Sequence, residues 1–476
     1  MEMLIGGAKV GASNNQTIDA VNPATGEVID TFPSASKEDI ERCLEIAQAG
    51  KEKWGSMSMD DRSKIMRRIP EVFRAHKDEL AELLCREMGK PIYQCEDDLE
   101  VTVGIFENIV EEARHLLGSS FMDLSSGGEL GDVQFTVYEP LGVVVCIAPF
   151  NFPYDTLTQK VAAALIMGNS IVIKPPSDVS LSLIRYTELL LEAGVPGDVA
   201  QIVTGRGSVL GDYLVKTPLV DAISFTGSTE VGVKICQDSA PYLHRLIMEL
   251  GGNDPFIIFD DADLDLAVEE CWMRLRNSGQ TCCSSKRYIV HNSVKDKFCE
   301  KLVEWLKGFK MGDPKSRETD IGTVINEKAA KEIEEQIAHT VSQGARLVYG
   351  GQRDGAFVTP AVLMDVTKDM DVAKDMEIFG PVFPIIGFDT EEEALKIANQ
   401  TIYGLNAGCL TADMTRSLRV ASKLKAGTVV SNGCSTWRGP EIPFGGYKMS
   451  GIGREGGRYS LLTMSQEKTI AIRRIK

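Results

Sequence analysis

No apolar run in the 476-residue chain approaches the roughly 18 to 20 residues that span a bilayer, and the opening residues lack the basic and apolar zones of a secretory signal. No membrane partner and a cytoplasmic location are expected. Basic residues are outnumbered, with 51 Lys and Arg against 68 Asp and Glu, and the formal charge of −17 argues against nucleic acid as a partner. Histidine is scarce: the five at 76, 115, 244, 291 and 339 stand apart from one another and from the cysteines. No C-x-x-C pair occurs, so no metal site is expected, and a papain-like Cys/His pair would have to assemble over distance. The eleven cysteines follow no regular spacing, which is the usage of a reduced compartment. A G-x-G-x-x-G fingerprint after a strand is also missing.

What is present is length for two or three domains and a telling order of elements. Ser36, with Asp39 three residues on, opens an amphipathic helical stretch through Trp54, and helical patterning continues to about Leu117. A polar, Gly-rich segment at 119–132 leads into alternating residues at 133–138, which suit an exposed hairpin or arm. Short β-branched runs at 142–149, 170–174, 199–204 and 222–226 then alternate with helical segments near 157–167, 180–193 and 208–216. This alternation predicts an α/β fold with a parallel sheet flanked by helices. A dinucleotide would lie at the carboxyl ends of such strands.

The GQTCC segment at 279–283 carries a nucleophile candidate, because small residues let backbone N–H groups approach the Cys282 sulfur and an oxyanion beside it. A buried core cysteine is the competing reading. The MELGG segment at 248–252 decides between them by placing Glu249 upstream as a candidate base.

Those two segments, with EIFGPV at 377–382 and PFGGYKMSG at 443–451 in the same order, resemble the NAD(P)-dependent aldehyde dehydrogenase superfamily. The resemblance runs essentially end to end and implies the aldehyde dehydrogenase fold. That fold has two open parallel-sheet α/β domains, one Rossmann-like for the cofactor and one catalytic, plus a small β oligomerisation arm. The implied bounds are 1–117 and 139–249 for the cofactor domain, 250–450 for the catalytic domain, and 118–138 with 451–476 for the arm. A homodimer or homotetramer is implied, since relatives pair such arms across subunits.

The resemblance also assigns roles. Cys282 attacks a small-molecule aldehyde, Asn151 in PFNFP and the Cys282 backbone N–H hold the oxyanion, Lys160 supports the region, and Glu249 activates the water that releases the acid. Possession of Glu249 favours hydrolysis over acyl transfer to coenzyme A. Phe225, Gly227 and Ser228 form the strand-to-helix turn for the pyrophosphate, and Gly205 and Gly207 let the adenine lie against the backbone. Glu377 and Phe379 meet the nicotinamide ribose and ring. Lys174 faces the adenosine ribose, and Ser177 stands where many NAD-preferring members have an acid, so the cofactor is NADP or NAD.

For the substrate, Arg276 matches one arginine of succinate-semialdehyde dehydrogenases, although Gln159 replaces their second. Arg438 resembles the phosphate-facing arginine of non-phosphorylating glyceraldehyde-3-phosphate dehydrogenases, although Thr281 precedes the nucleophile where those have arginine. Two guanidinium groups, with Thr156 and Gln159 in place of aromatic or sulfur side chains, favour a short anionic or polar aldehyde. Succinate semialdehyde leads, followed by glyceraldehyde 3-phosphate or lactaldehyde. A catalytically silent structural member of the lens-crystallin type is the alternative of another class. Cys282 and Cys283 are adjacent, and a low-pKa thiolate there would invite reversible oxidation.

Overall fold

Two sheets divide the molecule, and the chain passes between them at the MELGG segment. A computed structural model describes residues 1–121 and 132–473. Most of the Gly-rich segment at 119–132 lies outside those residues.

The first sheet has eight strands, and its parallel centre is built from Ala200–Ile202, Ser170–Lys174, Val143–Ile147, Ala222–Thr226 and Arg245–Glu249 in spatial order. Four of these are the β-branched runs read from sequence. Ser170–Lys174 and Ala222–Thr226 are buried at every position, which is why they read as continuous apolar runs rather than alternating ones. The helices Pro153–Ile166, Leu181–Glu192 and Gly207–Val215 supply the crossovers. The predicted capping box at the head of Lys37–Ser56 is formed, with the Ser36 hydroxyl accepting from the Asp39 N–H and the Asp39 carboxylate accepting from the Ser36 N–H.

The second sheet has seven strands, centred on the parallel run Ala361–Val366, Val382–Phe388, Ser285–His291, Asp254–Ile258 and Asn406–Leu410. Its core is separate from that of the first sheet. Strand Val133–Pro140 runs antiparallel to Ser465–Ile472 for its whole length, with Ser120–Phe121 on its other edge, so these form a third sheet apart from both. Between 451 and 464 the chain first returns to the first sheet: Gly451–Ile452 pairs antiparallel beside Arg245–Glu249, and helix Gly457–Thr463 packs on helices Ile92–Arg114 and Pro153–Ile166. The third sheet therefore takes up its C-terminal strand only at Ser465, later than the arm boundary expected at 451. No helix among the described residues is long and apolar enough to cross a membrane.

Candidate active site

The Cys282 loop follows a short 3₁₀ turn, Arg276–Gly279, in which Asn277, Ser278 and Gly279 all adopt left-handed backbone with φ of 52°, 51° and 78°. Only the last of them must be glycine. A Cβ there would fall 2.2 Å from the Gly380 carbonyl carbon, so the GQTCC and EIFGPV segments meet backbone to backbone. Gly451 does the same for the other pair of motifs. It lies against Glu249 in register, and a Cβ would come within 2.3 Å of the Met248 carbonyl oxygen.

Asn151, at the mouth of helix Pro153–Ile166, is held from three sides. Its amide donates to the Gln280 carbonyl at 3.0 Å, while its own carbonyl accepts from Asn277 Nδ2 at 2.8 Å and from Lys90 Nζ at 3.0 Å. Glu249 ends its strand buried, with Oε1 lacking any hydrogen-bond partner. Burial, followed by the neighbouring Cys282 and Glu455, raises its carboxyl well above the usual range. The expected low-pKa thiolate at Cys282 is not found. The Cys283 thiol beside it and burial push the Cys282 thiol up, and the nearby Lys286 ammonium only partly opposes them. Cys283 itself packs on Leu405 and Phe444.

Asn151, Cys282, Thr156, Gln159, Arg276 and Arg438 all line one pocket of about 400 Å³. Arg276 is already engaged, with Nη2 at 3.3 Å from Asp98 and 3.7 Å from Asp97. Arg438 lies over the Phe444 ring at 4.2 Å and keeps Nη2 sealed without a partner. Burial works against its charge, but Asp155 and Glu455 outweigh that and hold the guanidinium firmly ionised.

The residues expected to take a dinucleotide cluster at the carboxyl ends of the first sheet. Ser228 caps helix Thr229–Ser239 by accepting from Val231 N–H, leaving the helix start with its free N–H groups. A Cβ on Gly227 would strike the Phe225 ring at 2.5 Å, so the turn admits a backbone approach that no side chain could share. Lys174 lies beside Gly207, whose added Cβ would sit 3.6 Å from Nζ, and burial lowers its pKa to about 8 against the pull of Asp178. Ser177 donates to the Gly205 carbonyl at 3.4 Å. Glu377 pairs with Lys286 at 3.2 Å, and Phe379 meets Phe150 edge-on. A helix start with free N–H groups, a buried lysine and an acid spaced across this crevice fit a dinucleotide.

The family model described as the aldehyde dehydrogenase family matches residues 10–470. The chain belongs to the aldehyde dehydrogenase family. It is 36% identical to the Escherichia coli (strain K12) succinate-semialdehyde dehydrogenase (NADP(+)), over 97% of this chain and 95% of that protein. It is 37% identical to the 3-sulfolactaldehyde dehydrogenase of Pseudomonas putida, over 97% of this chain and 94% of that one. The crystal structure of succinate-semialdehyde dehydrogenase from Burkholderia pseudomallei superposes with a TM-score of 0.96 at 37% identity, covering 99% and 98% of the two chains. The protein is thus an oxidoreductase acting on aldehydes, and the silent structural alternative falls away.

The sequence places Lys160 at this aldehyde dehydrogenase site as a supporting residue, but its partner Glu455, and the residues Lys90 and Lys286, escape that reading. Lys160 is fully buried and ion-paired with Glu455. Lys90 is fully buried too, paired with Asp98 and stacked over the Phe152 ring at 4.1 Å. Lys286 donates to the Cys282 carbonyl and so ties the Cys282 loop to Glu377. A signal existed for Lys160, since a lysine inside so apolar a helix segment requires an anion somewhere. Among the described residues no cluster of His, Cys, Asp and Glu is arranged to hold a metal ion.

Proposed function

We propose that the protein oxidises a short aldehyde with an anionic tail to the free carboxylic acid, with succinate semialdehyde as the leading substrate. One observation carries this: buried potential donors of Thr226, Arg276, Thr281 and Arg438, all without protein partners, line the pocket that contains Cys282. An apolar aldehyde would leave them unsatisfied, at roughly 1–3 kcal/mol each. Because Arg276 already faces two carboxylates, Arg438 is the better anchor for the tail.

Cys282 attacks the carbonyl carbon, and Glu249, beside the thiol, takes its proton. The resulting alkoxide of the thiohemiacetal meets the second Asn151 amide N–H and the Cys282 backbone N–H. A bound NAD or NADP would supply the hydride acceptor for the thiohemiacetal. Lys174, Ser177, Gly205, Gly207, Phe225, Gly227, Ser228, Glu377 and Phe379 would hold it, and Ser177 in place of an acid leaves room for a 2′-phosphate beside Lys174. Glu249 then deprotonates the water that opens the Cys282 thioester, and the buried Lys160–Glu455 pair supports that carboxyl. The third sheet is proposed as the arm of a homodimer or homotetramer.

Absorbance at 340 nm with a panel of aldehydes and both nucleotides tests the function. Short anionic aldehydes should give the highest kcat/KM, and Cys282→Ala should abolish the signal. Full turnover by that variant would remove Cys282 from the mechanism.

A further inference from the structure

Asp155 has no role in the reaction as derived, yet its position is costly. It lies in the first turn of helix Pro153–Ile166, where an acid ordinarily complements the helix dipole in water. Here it lines the Cys282 pocket with Oδ1 sealed and unpartnered. Gln159, one turn along the same helix, is its hydrogen-bonding neighbour, and Arg438 lies close enough to act on its charge without forming a direct ion pair. Burial raises its carboxyl despite that guanidinium.

An acid in this place repels an anionic tail and gains nothing from an unbranched chain. It needs a donor. An ammonium group on the substrate is disfavoured, because Arg276 and Arg438 line the same pocket. A hydroxyl carries no charge to repel, and it can donate to the orphan oxygen while the anionic end reaches Arg438. We propose that Asp155 is a specificity-determining residue that accepts a hydrogen bond from a substrate hydroxyl lying between the aldehyde carbon and the anionic end. This narrows the short anionic aldehydes proposed above to their hydroxylated members, which then displace the unsubstituted succinate semialdehyde as the preferred substrate. The inference rests on the reading that Arg438 receives an anionic tail.

Matched aldehydes test it: 4-oxobutanoate against 3-hydroxy-4-oxobutanoate, and propanal against 2-hydroxypropanal. In each pair the hydroxylated member should show a kcat/KM about tenfold higher or more in the native enzyme, because a site built to bond a hydroxyl discriminates against its absence. Asp155→Ala should bring both ratios toward one, with Asp155→Asn, which keeps the shape and one acceptor oxygen, falling between. A native ratio near one overturns the proposal, whether or not either variant folds. So does a ratio that Asp155→Ala leaves unchanged. If hydroxylation helps in both pairs but 4-oxobutanoate is no better than propanal, the anionic-tail reading fails and the hydroxyl-accepting role of Asp155 stands.

Discussion

Replacing Arg438 by Met separates the charge of this side chain from its bulk. The guanidinium lies over the Phe444 ring at 4.2 Å, and a thioether retains an apolar and sulfur–aromatic contact there, so the loop keeps its seat. What is lost is the sealed Nη2 donor and its positive charge. A charge-assisted hydrogen bond to a carboxylate contributes about 1.5–3 kcal/mol, which is roughly a 10- to 150-fold factor. The ratio of kcat/KM for 4-oxobutanoate to that for propanal should fall by that factor in Arg438→Met. Asp155 would lose the cation that lowers its pKa, so its carboxyl should move further upward and add no new negative charge near neutrality.

The assay is initial-rate measurement at 340 nm on both substrates, with thermal unfolding as a control for loop damage. Equal losses on both aldehydes would mean that Arg438 holds the loop rather than the ligand. No loss on either would return Arg276 to first place, despite its two carboxylate neighbours.

Glu249 is held protonated to well above the ordinary carboxylate range, first by burial, so its base form fills in as pH rises. The acid limb of kcat should lie in that raised window, and Glu249→Gln should slow acylation but stop hydrolysis more severely, so that an acyl-enzyme accumulates slowly and is visible by mass spectrometry; a limb at the usual carboxylate pH, or no adduct after long incubation, contradicts the assignment. Lys160→Met leaves Glu455 buried without its partner and should cost about 3–5 kcal/mol of stability by denaturant titration. Lys160→Met combined with Glu455→Gln should recover most of that loss, and failure to recover would place the role of Lys160 outside the pair. Light scattering at micromolar concentration should give a multiple of the 52.0 kDa chain mass, and a particle of 52.0 kDa would contradict the proposed pairing of arms.

How far the sequence reaches depends on whether a feature is local. The capping box at Ser36 and Asp39 spans three residues, and the buried strands from 143 to 226 are written in their own β-branched composition, so both are legible. The pairings that govern the site are not local. Glu455 reaches Lys160 across 295 positions, and Asp98 reaches Arg276 across 178. Read alone, Arg276 is a free guanidinium six residues before the nucleophile; helix Ile92–Arg114 brings it two carboxylates that no spacing within its own segment implies.

The same limit applies to Cys282. Its small-residue turn suggests access, and access suggests an easily formed thiolate, but protonation is decided by what packs around the sulfur. Cys283 and burial raise it, and Glu249 comes from the end of strand Arg245–Glu249 to stand beside it. Once Glu249 has lost its own proton, transfer from the Cys282 thiol to it moves a single negative charge onto sulfur and creates no second charge in the pocket. Residue types at fixed spacings can therefore propose a nucleophile and a base, whereas their protonation states belong to the folded site.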